Sequence, residues 1–194
     1  MLRLIIFYFF IILIYPALAD YEDEDETITR IEDAWNNIET LSATFRQLNS
    51  DGSIDNGIFY LYKPYKSRFE YENKKNELII TNKNLLNIVD ADGYQIDGYL
   101  LGNTPLKMIL GKNLNIRENF NINDIYTDGT TFIIDVSSLN KNEEERAIFF
   151  FSKKNYDLEK WEFIDKFDNK TVLEFTNLQK NISINKNLFV IRYN

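Results

Sequence analysis

Residues 57–72 read Gly57-Ile58-Phe59-Tyr60-Leu61-Tyr62-Lys63-Pro64-Tyr65-Lys66-Ser67-Arg68-Phe69-Glu70-Tyr71-Glu72. Residues 57–63 and 67–72 alternate or run apolar at a period of two, and Pro64-Tyr65 interrupts them. That is the pattern of two antiparallel strands joined by a hairpin, because successive side chains on a strand face opposite sides. The same period continues on either side. Residues 43–49, 77–82 and 85–90 predict further strands, and Tyr94 to Leu100 a shorter one. Asp51-Gly52, Asn73 to Asn76 and Asn82-Lys83-Asn84 supply the turns between them.

Upstream the period changes to that of a helix. Ile28, Ile31, Trp35, Ile38 and Leu41 recur at spacings of three and four, which predicts an amphipathic helix of about four turns. Thr27 is the expected N-cap, with Arg30 and Glu32 facing outward. Downstream, Thr104-Pro105 predicts a helix start, and Leu106 to Leu110 a short helix ending at Gly111. Its apolar side chains Leu106, Met108, Ile109 and Leu110 exceed what one face of so short a helix buries. A lid touching both core and ligand, and a buried connector, fit this pattern equally well. Beyond it, residues 122–127, 130–137, 146–152, 156–165, 170–177 and 187–193 read as strands, with Asp128-Gly129 and Asp168-Asn169 as turns.

The first nineteen residues have the form of an export signal. Arg3 precedes an apolar run from Leu4 to Tyr15, Pro16 breaks it, and Ala17-Leu18-Ala19 offers the small residues of a cleavage site after Ala19. An uncleaved anchor is the alternative. However, the run is shorter than the roughly 20 residues that span a bilayer, and acidic residues follow at once, so export to the periplasm as a soluble protein is expected. Asp20 to Glu26 reads as an acidic flexible tail, and residues 27–194 as one domain.

Removing residues 1–19 leaves 175 residues with 21 basic and 30 acidic side chains, a formal charge of about −9. Such a surface repels nucleic acid and anionic membranes. The chain has no Cys and no His, which excludes thiol chemistry, a lipid-modified cysteine and the commonest general base and metal ligand. No enzyme activity, cofactor or metal site is expected, and a monomer is. Glu143-Glu144-Glu145 reads as a solvated loop. Asp90 and Asp92 flank a turn at Gly93 without the ligand spacing of a calcium site.

About eleven antiparallel strands and few helices give a mainly β (α+β) fold. So wide a sheet curls from its own twist. The two apolar helices must then cover its concave face, giving an incomplete antiparallel β-barrel around an apolar hollow.

Residues 41–111 resemble the LolA family, periplasmic outer-membrane lipoprotein carrier proteins. Leu41-Ser42-Ala43-Thr44-Phe45-Arg46-Gln47 is similar to the family's opening strand. Gly57 to Pro64 is similar to its Gly-x-(strand)-Arg-Pro segment, Arg68-Phe69-Glu70-Tyr71 to the aromatic strand after that Pro, and Gly102-Asn103-Thr104-Pro105-Leu106 to the start of the helical lid. The resemblance implies an incomplete barrel that takes acyl chains of lipoproteins from an inner-membrane ABC-type releasing complex and yields them to an outer-membrane acceptor lipoprotein.

It also implies a lid latch, an Arg bonding backbone carbonyls at the lid's end. Lys63 stands at that position here, and near Ile109 and Leu110 it would grip one or two carbonyls with a point charge rather than a planar fork. A hairpin-end surface charge is the alternative for Lys63. If Lys63 points inward, Leu61 and Phe59 do too. With Phe45, Phe69, Leu106 and Ile109 they are the expected lipid-binding cavity residues, ordinary core being the other reading. Ser67 replaces an apolar or aromatic residue of the family. A lipid-sensing regulatory domain of the same fold and a carboxylate-based hydrolase are the rival functions.

Overall fold

A computed structural model describes residues 23–72, 77–102, 105–139 and 145–193. The export signal, the turn Asn73 to Asn76, the cap at Thr104, and Glu143 and Glu144 lie outside the described residues. Helix α1 (Glu24–Asn36) leads into strands β1 (Thr40–Leu48), β2 (Ile54–Tyr62), β3 (Lys66–Tyr71), β4 (Leu78–Asn82), β5 (Leu85–Val89) and β6 (Gln95–Leu100). The short helices α2 (Pro105–Ile109) and α3 (Ile116–Asn119) follow. The remaining strands are β7 (Phe120–Thr127), β8 (Thr131–Ser138), β9 (Arg146–Ser152), β10 (Leu158–Ile164) and β11 (Lys170–Lys180), and a 3₁₀ helix spans Lys186–Phe189.

All eleven strands form one antiparallel sheet in the order β6-β5-β4-β3-β2-β1-β11-β10-β9-β8-β7. Sequence neighbours pair within β1–β6 and within β7–β11, and β1 meets β11 (Phe45 opposite Phe175), which joins the two halves of the chain. The sheet is not closed, and β6 and β7 are its two edges. The incomplete barrel expected from the alternation is therefore the observed architecture.

Alternation decides which side chains enter the core. Phe45 of β1, Phe59 and Leu61 of β2, Phe69 of β3, Phe149 and Phe151 of β9, Trp161 of β10 and Phe175 of β11 all face one side and are buried together. Ile28, Ile31 and Trp35 of α1 cover them, with Ile109, Leu110, Leu114 and Ile116 from the α2–α3 stretch. The rings meet mostly edge-on or tilted; Phe45 and Phe69 lie 5.5 Å apart at 79°, and Trp161 and Phe175 5.0 Å apart at 85°. Such pairs add to the area term, and this core stands in for the disulfides that a chain without Cys lacks.

Three expectations need correction. The N-cap of α1 is Asp23, whose side chain accepts from Asp25 N–H, not Thr27. Glu24, Asp25 and Glu26 form the first helical turn, where carboxylates favour the positive end of the helix dipole. The helix ends at Asn36, so the buried Ile38 lies beyond it and Leu41 belongs to β1. Its place in the helical stripe was a coincidence of two periods. Finally, 187–193 is no strand. Phe189 packs with Ile80 and Val89 into a second, smaller core on the convex face, and Asn185 caps a 3₁₀ turn there by accepting from Asn187 N–H. The only ladder contact of the segment is a parallel bridge between Arg192 and Tyr94.

Candidate functional site

The curl of the sheet brings edge strand β6 across to β10 and β9, which stand seven and eight places further along it. Between them lies a hollow of about 270 Å³. Leu86 of β5, Tyr99 and Leu100 of β6, Leu101 just after it and Leu106 of α2 form one wall, and Phe163 and Ile164 of β10 the other. Glu145, Arg146 and Asp165 stand at its rim. The wall is mostly apolar, and Leu100 is 79% exposed although apolar, so the mouth opens to solvent. Arg146 is tied to the buried carboxylate of Asp135, which also accepts from Asn123. Burial raises the Asp135 carboxyl, but these bonds outweigh it and hold it below its ordinary value. The cation at the rim is therefore structural.

Of the six expected cavity residues, Leu106 lines this hollow. Phe45, Phe59, Leu61, Phe69 and Ile109 lie behind it in the packed core, each no more than 6% exposed. The hollow's other wall residues, Tyr99, Leu100, Phe163 and Ile164, were not singled out from sequence. Their strands were legible, but which strand faces which across an open barrel depends on the curl of the whole sheet.

Lys63 points inward, as the period of two requires, and is 9% exposed. Its target differs from the expected one. The ammonium donates to Trp35 O at 2.6 Å, at the C-terminal end of α1, and lies 4.7 Å from the Trp35 ring centroid. Four carbonyls at a helix end lack intrahelical partners, and a cation there meets the negative end of the helix dipole. The carbonyls of Ile109 and Leu110 are instead taken by the Trp35 indole N–H, at 3.0 Å, and by Tyr65 N–H, at 2.7 Å. Burial lowers the Lys63 pKa to about 8. Pro64 follows in a cis peptide bond.

The stretch between α2 and α3 is stitched to α1 along one helical face. Glu32 accepts from Ile116 N–H at 2.6 Å, and Asn36 both donates to Leu114 O at 3.0 Å and accepts from Leu114 N–H at 2.7 Å. Ser67 is fully buried and paired with Thr81, hydroxyl to hydroxyl at 2.8 Å. Asp90 accepts from Asp92 and Tyr94 N–H and so shapes its turn. Among the described residues no group of three or more Asp or Glu side chains is placed to hold a metal ion, and no helix is long and apolar enough to cross a membrane.

A curled open sheet, helices across its concave face and an apolar hollow at the rim define a half-barrel binding protein. A family model described as outer membrane lipoprotein carrier protein LolA matches residues 36–192, and the chain belongs to that family. An outer-membrane lipoprotein carrier protein of Methylococcus capsulatus is 26% identical over 191 residues, covering 92% of this chain and 90% of that one. One of Cupriavidus necator is 29% identical over 150 residues, covering 71% and 69%. The solved structure of a LolA superfamily protein from Nitrosomonas europaea aligns with 84% of this chain and 97% of its own at 9% identity, with a TM-score of 0.42.

Proposed function

We propose that this protein is exported, cleaved after Ala19, and carries lipoproteins through the periplasm by sheltering their acyl chains. An ABC-type complex in the inner membrane would release the cargo to it, and an acceptor lipoprotein at the outer membrane would receive it. The observation that carries this reading is the apolar hollow between β6 and β10, in a chain whose relatives are named outer-membrane lipoprotein carrier proteins. A hand-over of this kind needs no bond made or broken. Burial of acyl chains at about 0.8 kcal/mol per CH₂ supplies the affinity.

The size of the hollow sets the mechanism. At about 270 Å³ it is smaller than the sites that hold single drug-sized ligands, which span roughly 300–1,000 Å³. Several acyl chains require more room, so loading requires the hollow to widen. Cargo enters as the α2–α3 stretch lifts, and Phe45, Phe59, Leu61, Phe69 and Ile109 become the floor of the enlarged cavity. The energy needed to open weakens net affinity, which lets the cargo leave again. Export leaves about nine net negative charges on the mature chain, which keeps the carrier off anionic bilayers between the two membranes.

Native mass spectrometry of residues 20–194 with a triacylated lipoprotein, and with the same protein lacking its acyl chains, tests this. One-to-one binding that requires the acyl chains is expected. A folded protein that binds neither form, or both equally, is incompatible with the proposal.

A further inference from the structure

Among the described hydrogen bonds none joins Lys63 to the 105–116 segment, and Trp35 is bonded to both. It is 2% exposed on the last turn of α1, and it is engaged on two sides. Its carbonyl and ring hold the Lys63 ammonium, while its indole N–H holds Ile109 O at the end of α2. We propose that Trp35 is the clasp of the lid, a positioning residue through which Lys63 acts on the 105–116 segment. The inference rests on the carrier reading only for the purpose of the motion; the clasp itself is a property of the empty protein.

The geometry makes the assignment specific. Ile109 and Leu110 present adjacent carbonyls at a helix end, and such groups are costly to leave unpaired when buried. Leu110 O is taken by Tyr65 N–H, a backbone donor that a side-chain substitution does not remove. Ile109 O is taken by the Trp35 side chain alone among the described hydrogen bonds. Ile109 is itself fully buried, so water does not replace that donor while the lid is down. The bonds of Glu32 and Asn36 to Ile116 and Leu114 lie further along the same helix face but at its partly solvated side. Among the described hydrogen bonds neither of those residues is joined to Lys63. The ammonium, by contrast, fixes both ends of the Trp35 residue. It anchors the backbone by a short charge-assisted bond, and it orients the indole plane by its place over the ring. A lid held this way opens when the indole swings, not when Lys63 lets go of the lid, because Lys63 does not hold it.

Hydrogen exchange of the empty protein, followed by mass spectrometry over residues 105–116, tests the clasp without any lipid. Trp35→Phe keeps an aromatic ring but removes the N–H. It is expected to speed exchange in that segment about tenfold while leaving the β8–β9 hairpin unchanged. Lys63→Met is expected to speed it less, and the double variant to match Trp35→Phe alone. Additive effects of the two substitutions, or a lid that exchanges at the wild-type rate in Trp35→Phe, would overturn the proposal. Should Trp35→Phe fail to fold, Trp161→Phe leaves Trp35 as the sole tryptophan of the two in the chain. In that background Lys63→Met must change Trp35 emission and lid exchange together. Faster exchange with unchanged emission would show that Lys63 reaches the lid by another route. Failure of the clasp leaves lipoprotein binding intact, whereas failure of the carrier reading leaves these exchange rates as they are.

Discussion

Lys63 is a cation kept in the protein's interior by one carbonyl and one aromatic face, and its titration is the clearest consequence. Burial brings its pKa down from 10.5 to about 8, so the folded state disfavours the charged form relative to the unfolded chain. Between about pH 8 and 10.5 the unfolded state binds the extra proton, and stability therefore rises with pH across that window. Below pH 8 both states carry the proton and the full penalty of the buried charge is present. Burial also pushes Tyr71 up to about 12. That group acts in the opposite sense, its stabilisation being lost as pH climbs from 10 to 12. A comparison with Lys63→Met removes the tyrosine from the measurement. Chemical denaturation of both proteins from pH 7 to 10 should find wild type gaining on the variant by about 1 kcal/mol per pH unit above pH 8. A constant difference would mean that the ammonium is solvated. The sequence tied the direction of Lys63 to that of Leu61 and Phe59 but left inward and surface placements open. Its acceptor was not legible, since nothing local says whether the end of α1 or the end of α2 lies within reach.

Among the elements, β2 and β3 carry the strictest local requirement. An added Cβ at Gly57 would lie 2.0 Å from Glu70 O and 2.8 Å from the Phe45 ring, closer than atoms approach, and the nearest of these is backbone. Gly57→Ala must therefore force the β2–β3 ladder apart next to the Phe45–Phe69–Tyr71 ring cluster. A loss of about 3 kcal/mol or more is expected in thermal or denaturant unfolding; a loss below about 0.5 kcal/mol would show that the strands yield freely there. The strands were readable because alternation is local. β2, β3 and β9 fall within a few residues of their expected bounds. The readings that missed did so where two patterns overlap. Leu41 satisfies a helical stripe and a strand at once. Leu188-Phe189-Val190-Ile191 is apolar enough for a strand, yet the turn capped by Asn185 and the convex pocket for Phe189 bend it away from one. Composition alone does not separate these outcomes, because tertiary partners decide them.

For the whole molecule, what matters is that the sheet stops short of closing. A closed barrel of eleven strands would bury both edges; here β6 remains an edge whose Ile96, Tyr99 and Leu100 are more than half exposed. Exposed apolar side chains on an edge strand invite association and carry a cost in solubility, so their presence at the mouth of the hollow calls for a use. Substitution separates use from folding. Phe59 is 1% exposed at the centre of the ring cluster, and Phe59→Ala is expected to cost about 3–5 kcal/mol of stability whatever the protein binds. Leu100 is 79% exposed, so Leu100→Asp should leave stability within about 0.5 kcal/mol of wild type. If acyl chains enter through this mouth, the same substitution sets a carboxylate in their path, beside Asp165 and Glu145 at the rim. It should then weaken binding of a long-chain acyl probe at least about tenfold. Titration calorimetry at several temperatures measures both sides of this. Wild type should bind with a negative heat-capacity change, the mark of apolar surface leaving water, and Leu100→Asp should show a smaller one or no binding. An unaltered affinity in a stable Leu100→Asp protein would place the entrance elsewhere, and the gap between β6 and β10 would then be a consequence of the curl and not a doorway.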